Sequence, residues 1–316
     1  MTRHLVDPEL LGFLEQMPTF NLDHQIMLGA RDYMAGMAEP RDAYARADVA
    51  IQDIEIPGPK GAPAVRVTVY TPTPATKPMP AYIHLHGGAY LMGNPAFAGR
   101  ENTNLAADLG CLIVSVDYRC APEDPAPAAI EDSYAALAWV HDNAAKLGVD
   151  TGRVAIGGDS AGGGLAASLA LLARDRGQYP VCFQLLVYPM LDDRTAVSKA
   201  VNPNVGEFVW NNASNLFAWG AYLGQPAGSD GVSPYYAAAR ATDLSGLPPA
   251  YIGVGSLDLF MQEDIAYAER LLAAGVPTEL HIFPGCFHSF DQDQSAAIGR
   301  RGRDEFHAAL ARGFKR

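Results

Sequence analysis

The chain has few cysteines and no long apolar run. Its 316 residues include four cysteines, at Cys111, Cys120, Cys182 and Cys286. They lack the paired close spacing that is typical of zinc sites, and no stretch reaches the roughly 18 consecutive apolar residues that a membrane span needs. We therefore expect no metal, no membrane-spanning helix and reduced thiols, with Cys111 and Cys182 buried as small apolar residues.

Basic residues are scarce as well. Lys and Arg number 23 against 35 Asp and Glu, which gives a formal net charge of -12. Binding to nucleic acid needs clustered Lys and Arg, but the densest basic run, residues 300–303, is followed at once by Asp304 and Glu305. The composition predicts no nucleic-acid partner. Because residues 1–9 lack the basic and then apolar layout of a signal peptide, we expect a cytoplasmic location.

Apolar strand-like runs alternate with helical patterns through most of the chain. The strand-like runs are residues 65–70, 81–85, 111–116, 154–156, 181–187, 250–254 and 279–283. The helical patterns between them are residues 102–109, 128–147, 160–175, 262–275 and 295–311. This alternation predicts an α/β protein with a mostly parallel, doubly wound sheet and helices on both faces. Ligands of such sheets bind at the carboxyl ends of the strands.

The pattern Gly-x-Ser-x-Gly at residues 158–162 lies between an apolar run and a small-residue helical stretch. Strand, sharp turn and helix with Ser160 at the apex are typical of a nucleophile elbow, in which glycines at 158 and 162 avoid a steric clash. The pattern alone is short, and a turn that only packs or binds phosphate would also explain it. A Walker phosphate loop would need Lys and then Ser or Thr, and a dinucleotide loop would need Gly-x-Gly-x-x-Gly.

A serine nucleophile needs a base, and the base needs an orienting acid, in the chain order Ser, acid, His. Of the downstream histidines, His281 lies within a strand and His307 in the last helix, whereas His288 follows the last strand. For the acid, Asp258 also ends a strand. The competitors that remain open nearby are Glu263, Asp264 and Asp291.

Backbone donors for an oxyanion are predicted in residues 84–90, which follow another core strand. Glycines let successive N–H groups approach the reacting atom, so the predicted donors are Gly87, Gly88 and Ala161. His86 precedes Ser160 in the chain, which is the wrong order for the base. We expect it to brace the loop.

These residues resemble the bacterial hormone-sensitive-lipase-like esterases (family IV) of the α/β-hydrolase superfamily. The matching segments are residues 86–90, 117–123, 158–163, Tyr188-Pro189, Asp258 and His288. The resemblance covers about residues 55–312. It departs from the family pattern at Ala89, where the family has a third glycine, and after Asp258, where Leu259-Phe260 replaces Pro-Leu.

The resemblance implies a site and a domain plan. Ser160 would be the nucleophile, His288 the base, Asp258 the orienting acid, and Arg119 part of an internal ion pair. The residues expected to line the substrate pocket are Tyr90, Asp159, Tyr188, Phe208 and Trp210. Residues 1–50 would form the helical amino-terminal part of a cap. Residues 51–316 would form the α/β-hydrolase domain, with a cap insertion at about 192–230. Ordinary helical packing explains the aromatic residues of that insertion equally well.

The expected activity is hydrolysis of carboxylic esters with short acyl chains or small aromatic groups, without metal or cofactor. Two alternatives stay open. The same site suits an amidase or acyltransferase, and the fold also serves non-catalytic binding proteins such as the gibberellin receptors of plants, which lose the base that His288 would supply here. The resemblance further implies a homodimer formed through the last strand and helix.

Overall fold

Eight strands form one sheet at the centre of the computed structural model, which describes residues 2–17, 19, 21–198 and 202–315. The strands are β1 (Val49–Ile56), β2 (Val65–Pro72), β3 (Met79–Leu85), β4 (Leu112–Asp117), β5 (Val149–Asp159), β6 (Phe183–Val187), β7 (Ala250–Gly255) and β8 (Thr278–Phe283). Their order across the sheet is β1-β2-β4-β3-β5-β6-β7-β8. β2 runs antiparallel to β1 and β4, and every other neighbouring pair is parallel.

The helices are α1 (Leu11–Leu14), α2 (His24–Met37), α3 (Gly99–Leu109), α4 (Ala128–Asp142), α5 (Ala144–Leu147), α6 (Ala161–Arg176), α7 (Asn212–Leu223), α8 (Met261–Ala273) and α9 (Ala297–Gly313). Helices α3 to α8 lie in the connections between parallel strands, whereas α1 and α2 precede β1 and α9 follows β8. Among the described residues, no helix combines the length and the apolar character that crossing a bilayer would require.

The helices cover both faces of the sheet and bury a separate apolar core on each. The core on one face includes side chains of α4, α6 and α8, and the core on the other includes side chains of α3 and α9. Strand order reverses at β3, whose neighbours are β4 and β5, and such a reversal opens a crevice at the carboxyl ends of the strands. The predicted doubly wound, mostly parallel α/β fold is confirmed.

One strand and one side chain differ from the sequence expectation. β1 was not predicted, because it is an antiparallel edge strand that exposes Gln52, Asp53 and Glu55 and therefore lacks an apolar run. It begins at Val49, just before the boundary expected at residue 51. Cys182 is half-buried rather than buried, because it precedes β6 instead of lying within it.

The amino-terminal segment packs on the loop after β8 and on α7. The backbone N–H of Asp7 donates to the carbonyl of Gly285 at 3.0 Å. Phe13 stacks on Phe287 with ring centres 6.4 Å apart. The N–H of Leu22 donates to Ser214 Oγ at 2.9 Å. The segment therefore covers the carboxyl end of the sheet from one side.

A buried ion pair ties together the two ends of the insertion between β6 and β7. Arg240 donates to both carboxylate oxygens of Asp193, from Nε at 2.8 Å and from Nη2 at 2.7 Å. The backbone N–H of Gly228 donates to the same carboxylate at 2.7 Å. Asp193 is fully buried, so its charge depends on these donors.

Replacing Asp193 with Ala should destabilise the protein by about 3 kcal/mol, because the substitution leaves the Arg240 guanidinium and the Gly228 N–H without their acceptor. The measurement is urea denaturation followed by circular dichroism. Asp192→Ala is the matched control, since Asp192 pairs with the half-exposed Arg194 and should cost less than about 1 kcal/mol. Equal losses in the two variants would contradict the importance of the buried pair.

Candidate active site

Ser160 lies in a strained turn between β5 and α6. Its φ of 55° and ψ of -120° belong to a backbone region that residues other than glycine rarely adopt. A Cβ atom on Gly158 or on Gly162 would lie 2.0 Å from the carbonyl oxygen of Leu85, at the end of β3. Only glycine fits at these two positions, so β3 can pass directly against the turn and the serine side chain stands clear of the sheet.

The structure brings Ser160, His288 and Asp258 into one hydrogen-bonded row. His288 Nε2 lies 2.9 Å from Ser160 Oγ, and His288 Nδ1 lies 2.7 Å from Asp258 Oδ2. The other oxygen, Asp258 Oδ1, accepts the backbone N–H of Phe260 at 2.9 Å, which fixes the carboxylate plane. All three side chains are buried. The three side chains therefore have the contacts that proton transfer from the serine hydroxyl would require.

Two neighbouring loops hold Asp258 and His288 in register. The N–H of Ser256 donates to the carbonyl of Phe283 at 2.9 Å, and the N–H of Leu257 donates to that of Cys286 at 2.9 Å. Because β7 and β8 are parallel neighbours, the loops that follow them leave the sheet side by side. Asp258 and His288 therefore meet although 30 residues separate them.

The other histidine candidates lie away from the serine. His281, within β8, contacts the carboxylates of Glu279 and Glu305. His307, in α9, is half-buried, and its Nε2 lies 3.1 Å from Glu101 Oε1. Both imidazole rings therefore contact carboxylates and not Ser160.

The three other carboxyl groups that the sequence offered as partners of His288 lie in different surroundings. Glu263 accepts the backbone N–H of Leu191 at 2.7 Å, and burial raises its pKa well above the ordinary value. Burial likewise raises the pKa of Asp264, whose two oxygens have no partner among the described residues. Asp291 accepts the hydroxyl of Tyr188 at 2.8 Å. The sequence did not reveal that Glu263 accepts backbone N–H groups, because the residues that donate them precede it by some 70 residues.

The loop after β3 folds back on itself beside Ser160. The N–H groups of Leu91 and Met92 donate to the carbonyl of Gly88 at 2.9 and 3.0 Å. Gly88 has a φ of +125°, and a Cβ there would lie 1.9 Å from the carbonyl oxygen of Met92. Within the part of the chain that the structure describes, the N–H groups of Gly87, Gly88 and Ala161 donate to no protein acceptor. They remain available to an anion.

Aromatic stacking and an ion pair stabilise the loop after β3. The His86 ring stacks on Tyr118 with ring centres 4.1 Å apart, and the Tyr118 hydroxyl donates to the carbonyl of His86 at 2.7 Å. Burial lowers the pKa of His86. Arg119 donates from Nη2 to Asp132 Oδ1 at 2.8 Å, which confirms the expected internal ion pair.

The residues expected to line the pocket separate into two groups. The rings of Tyr188 and Trp210 lie 4.7 Å and 6.4 Å from the His288 ring, centre to centre. Tyr90 instead stacks on Tyr222 and donates its hydroxyl to the carbonyl of Met190 at 2.9 Å, whereas Phe208 meets Phe287. Among the described ring contacts, neither Tyr90 nor Phe208 touches His288. Phe260, which sequence reasoning missed, does touch it, at 5.3 Å.

Asp159 is the last residue of β5 and is half-buried beside Ser160. A Cβ on Gly87 would lie 2.3 Å from Asp159 Oδ2, so the carboxylate lies against the loop after β3. Burial, assisted by the charges of Asp291 and Glu101, raises the pKa of Asp159 to about 7. The described residues contain no group of three or more His, Cys, Asp or Glu side chains arranged to hold a metal ion.

Comparisons with known proteins agree with this fold. A family model described as the alpha/beta hydrolase fold matches residues 82–292. Esterase LipI of Mycobacterium tuberculosis is 36% identical over 287 residues, covering 90% of this chain and 88% of the relative. Carboxylesterase NlhH of the same organism is 39% identical over 235 residues, covering 74% and 73%.

A solved structure entitled Bacterial Heroin Esterase superposes with a TM-score of 0.92 at 37% identity and covers 99% of both chains. Together with the family model and the esterase relatives, it establishes a serine carboxylic-ester hydrolase. This chain therefore belongs to the hormone-sensitive-lipase-like esterases of the α/β-hydrolase superfamily.

Proposed function

We propose that the protein hydrolyses carboxylic esters of short acyl chains or small aromatic groups through Ser160, His288 and Asp258, by way of an acyl-enzyme intermediate. The observation that carries this proposal is the continuous row of hydrogen bonds from Asp258 through His288 to Ser160, at 2.7 and 2.9 Å. A buried row of this kind lets a neutral imidazole remove the hydroxyl proton as the oxygen attacks.

Acylation begins when Ser160 Oγ attacks the ester carbonyl carbon and His288 Nε2 takes the hydroxyl proton. Asp258 keeps the other nitrogen, Nδ1, protonated and stabilises the imidazolium that forms. The carbonyl oxygen becomes an oxyanion, and the N–H groups of Gly87, Gly88 and Ala161 are its proposed donors. Because Ala161 begins α6, the positive end of the helix dipole also faces this charge.

Collapse of the tetrahedral intermediate expels the alcohol, which takes the proton from His288. In deacylation, His288 removes a proton from water, the hydroxide formed attacks the acyl carbon, and Ser160 regains its proton as the acid leaves. Neutral His288 is required in both halves, because only a neutral imidazole can accept the proton.

The alternatives use the same residues. An amidase would expel an amine, and an acyltransferase would replace water with an alcohol or amine, so product analysis with added acceptors separates the three. The presence of a histidine argues against a binding protein without catalysis. His288 Nε2 lies 2.9 Å from Ser160 Oγ, which is close enough to accept its proton.

Ser160→Ala should lower kcat for p-nitrophenyl acetate by about 10⁴-fold or more, because the three side chains act as a unit. Asp258→Asn should also cause a large loss, since the amide cannot stabilise the imidazolium.

The matched control is Glu263→Gln. Burial raises the pKa of Glu263, and the amide of Gln has the same shape and can still accept the N–H of Leu191. A variant of Ser160 that keeps half the activity would remove it from the mechanism. A loss in Glu263→Gln as large as that in Asp258→Asn would reopen the assignment of the acid.

Chain length should discriminate strongly among p-nitrophenyl esters. The rings of Tyr188, Phe260 and Trp210 enclose His288, and Ser160 is only 9% exposed. We expect kcat/KM to be highest for acetate to butyrate and at least tenfold lower for dodecanoate, because a long chain has to displace these rings. A kcat/KM that rises steadily to dodecanoate would contradict the proposed substrate class.

A homodimer and a cytoplasmic location are proposed from the sequence. β8 is an edge strand of the sheet and exposes Ile282, and an unpaired edge can bind a second copy. Ile282→Lys should therefore shift sedimentation velocity toward the monomer. Leu216→Lys, a similarly exposed apolar residue on α7, is the control and should leave the dimer intact. Sedimentation of the unmodified chain as a monomer would refute the dimer.

A further inference from the structure

We propose that Arg31, in the amino-terminal helix α2, is a positioning residue that holds the loop after β3 so that the N–H groups of Gly87 and Gly88 face the reacting carbonyl oxygen. The inference rests on the proposed hydrolase function of Ser160 and gives the segment before β1 a part in it. Its basis is a set of contacts from one guanidinium group to two loops beside the site.

Arg31 reaches from α2 to the loops that follow β3 and β4. Its Nε donates to the carbonyl of Leu91 at 2.7 Å, and its Nη2 donates to the carbonyl of Ala121 at 2.8 Å. Nη1 and Nη2 also donate to the two carboxylate oxygens of Glu123, both at 2.8 Å. One planar group therefore joins α2 to both loops, which the single nitrogen of a lysine could not do.

The contact with Leu91 leads directly to the proposed oxyanion donors. The N–H groups of Leu91 and Met92 donate to the carbonyl of Gly88, so residues 88–92 form one closed turn. Leu91 is fully buried, and among the described hydrogen bonds Arg31 is the donor to its carbonyl. Without the guanidinium, this buried carbonyl would lack a donor, and the turn would have to move to find one.

The turn is also strained, so it depends on contacts from outside. Ala89 and Tyr90 have φ values of 58° and 63°, in the left-handed region, and Gly88 has a φ of 125°. Such conformations of residues other than glycine persist only where the surrounding structure holds them. The loop after β4 supplies one hold, since the N–H of Ala121 donates to the carbonyl of Tyr90 at 3.0 Å. Arg31 supplies a second and fastens the two loops to each other.

Helix α2 is held to the rest of the protein by few of its side chains. Among those that the structure describes, Met27 is buried, whereas Leu28 is 44% exposed and Tyr33 is 62% exposed. The contacts of Arg31 therefore contribute much of the attachment of α2. Undocking of this helix would take the donor away from Leu91, so the position of α2 and the geometry of the oxyanion donors are linked.

The experiment measures kcat and KM for p-nitrophenyl acetate in Arg31→Ala. The oxyanion forms in the transition state and is absent from the bound ester, so poorly aimed donors should lower kcat and leave KM little changed. We expect kcat to fall about 10- to 100-fold, with KM within about threefold of the unmodified enzyme. Titration of the reactive serines with a fluorophosphonate gives kcat per active site, so unfolded protein does not contribute. An unchanged kcat, or a loss confined to KM, would overturn the proposal.

Arg100→Ala is the matched control. Arg100 also fastens the amino-terminal segment, by an ion pair with Glu39 and a hydrogen bond to the carbonyl of Ala43 at 2.9 Å, but none of its described contacts involves the loop after β3. Glu123→Gln removes the ion pair and keeps the guanidinium bonds to the two carbonyls. Both variants should keep kcat within about threefold. A loss in either one as large as that in Arg31→Ala would overturn the proposal.

Added guanidinium separates positioning from folding. The Arg31 side chain is 25% exposed and borders an open cavity of about 360 Å³ between α2 and the two loops. A guanidinium ion can therefore reach the freed carbonyls in Arg31→Ala. Millimolar guanidinium chloride should raise kcat of this variant by about threefold or more, and sodium chloride should not. Neither salt should raise kcat of Arg100→Ala. A loss that guanidinium does not restore would overturn the proposal.

Arg31→Lys replaces Arg31→Ala if the alanine variant does not fold. Lysine keeps the charge but has one nitrogen for three acceptors, so kcat should still fall by about fivefold or more. An unchanged kcat per reactive serine in that variant would overturn the proposal. If the unmodified enzyme itself does not hydrolyse p-nitrophenyl acetate, the proposed function fails, and that outcome is distinguishable from a failure of the positioning role alone.

Discussion

The close approach of the Leu85 carbonyl to the turn around Ser160 is the contact on which the site depends. A Cβ at Gly158 or Gly162 would lie 2.0 Å from that oxygen, far inside an ordinary contact. The contact joins the end of β3, which continues into the loop with Gly87 and Gly88, to the end of β5, which presents the serine. One backbone contact therefore sets the distance between Ser160 and the proposed oxyanion donors.

The remaining parts of the site follow from strand order. β3 and β5 are neighbours at the reversal of the sheet, and β7 and β8 lie further along the same edge. The loops that follow β7 and β8 carry Asp258 and His288 to Ser160. Within the site, the carboxylate of Asp258 is held by His288 and by the backbone N–H of Phe260.

The sequence was sufficient to predict the fold and the three hydrogen-bonded side chains Ser160, His288 and Asp258, because each has a signal in the residues next to it. Apolar runs mark the buried strands, and Ser160, Asp258 and His288 each follow one. What it could not supply are contacts between distant segments. The strand β1 is polar and lies at an edge, and Phe260 shows no pattern that would place its ring against His288. The groups that shift the pKa of Asp159 come from α3 and the loop after β8, so its altered pKa has no sequence signal. The roles of the site residues stay predictions until they are tested in solution.

A crystal structure of the enzyme inactivated by an alkyl fluorophosphonate tests the central claim most directly. The account predicts a covalent bond from Ser160 Oγ to phosphorus, with the phosphoryl oxygen within hydrogen-bond distance of the N–H groups of Gly87, Gly88 and Ala161. A folded protein that forms no adduct at Ser160, or an adduct whose phosphoryl oxygen points away from those three donors, would contradict it.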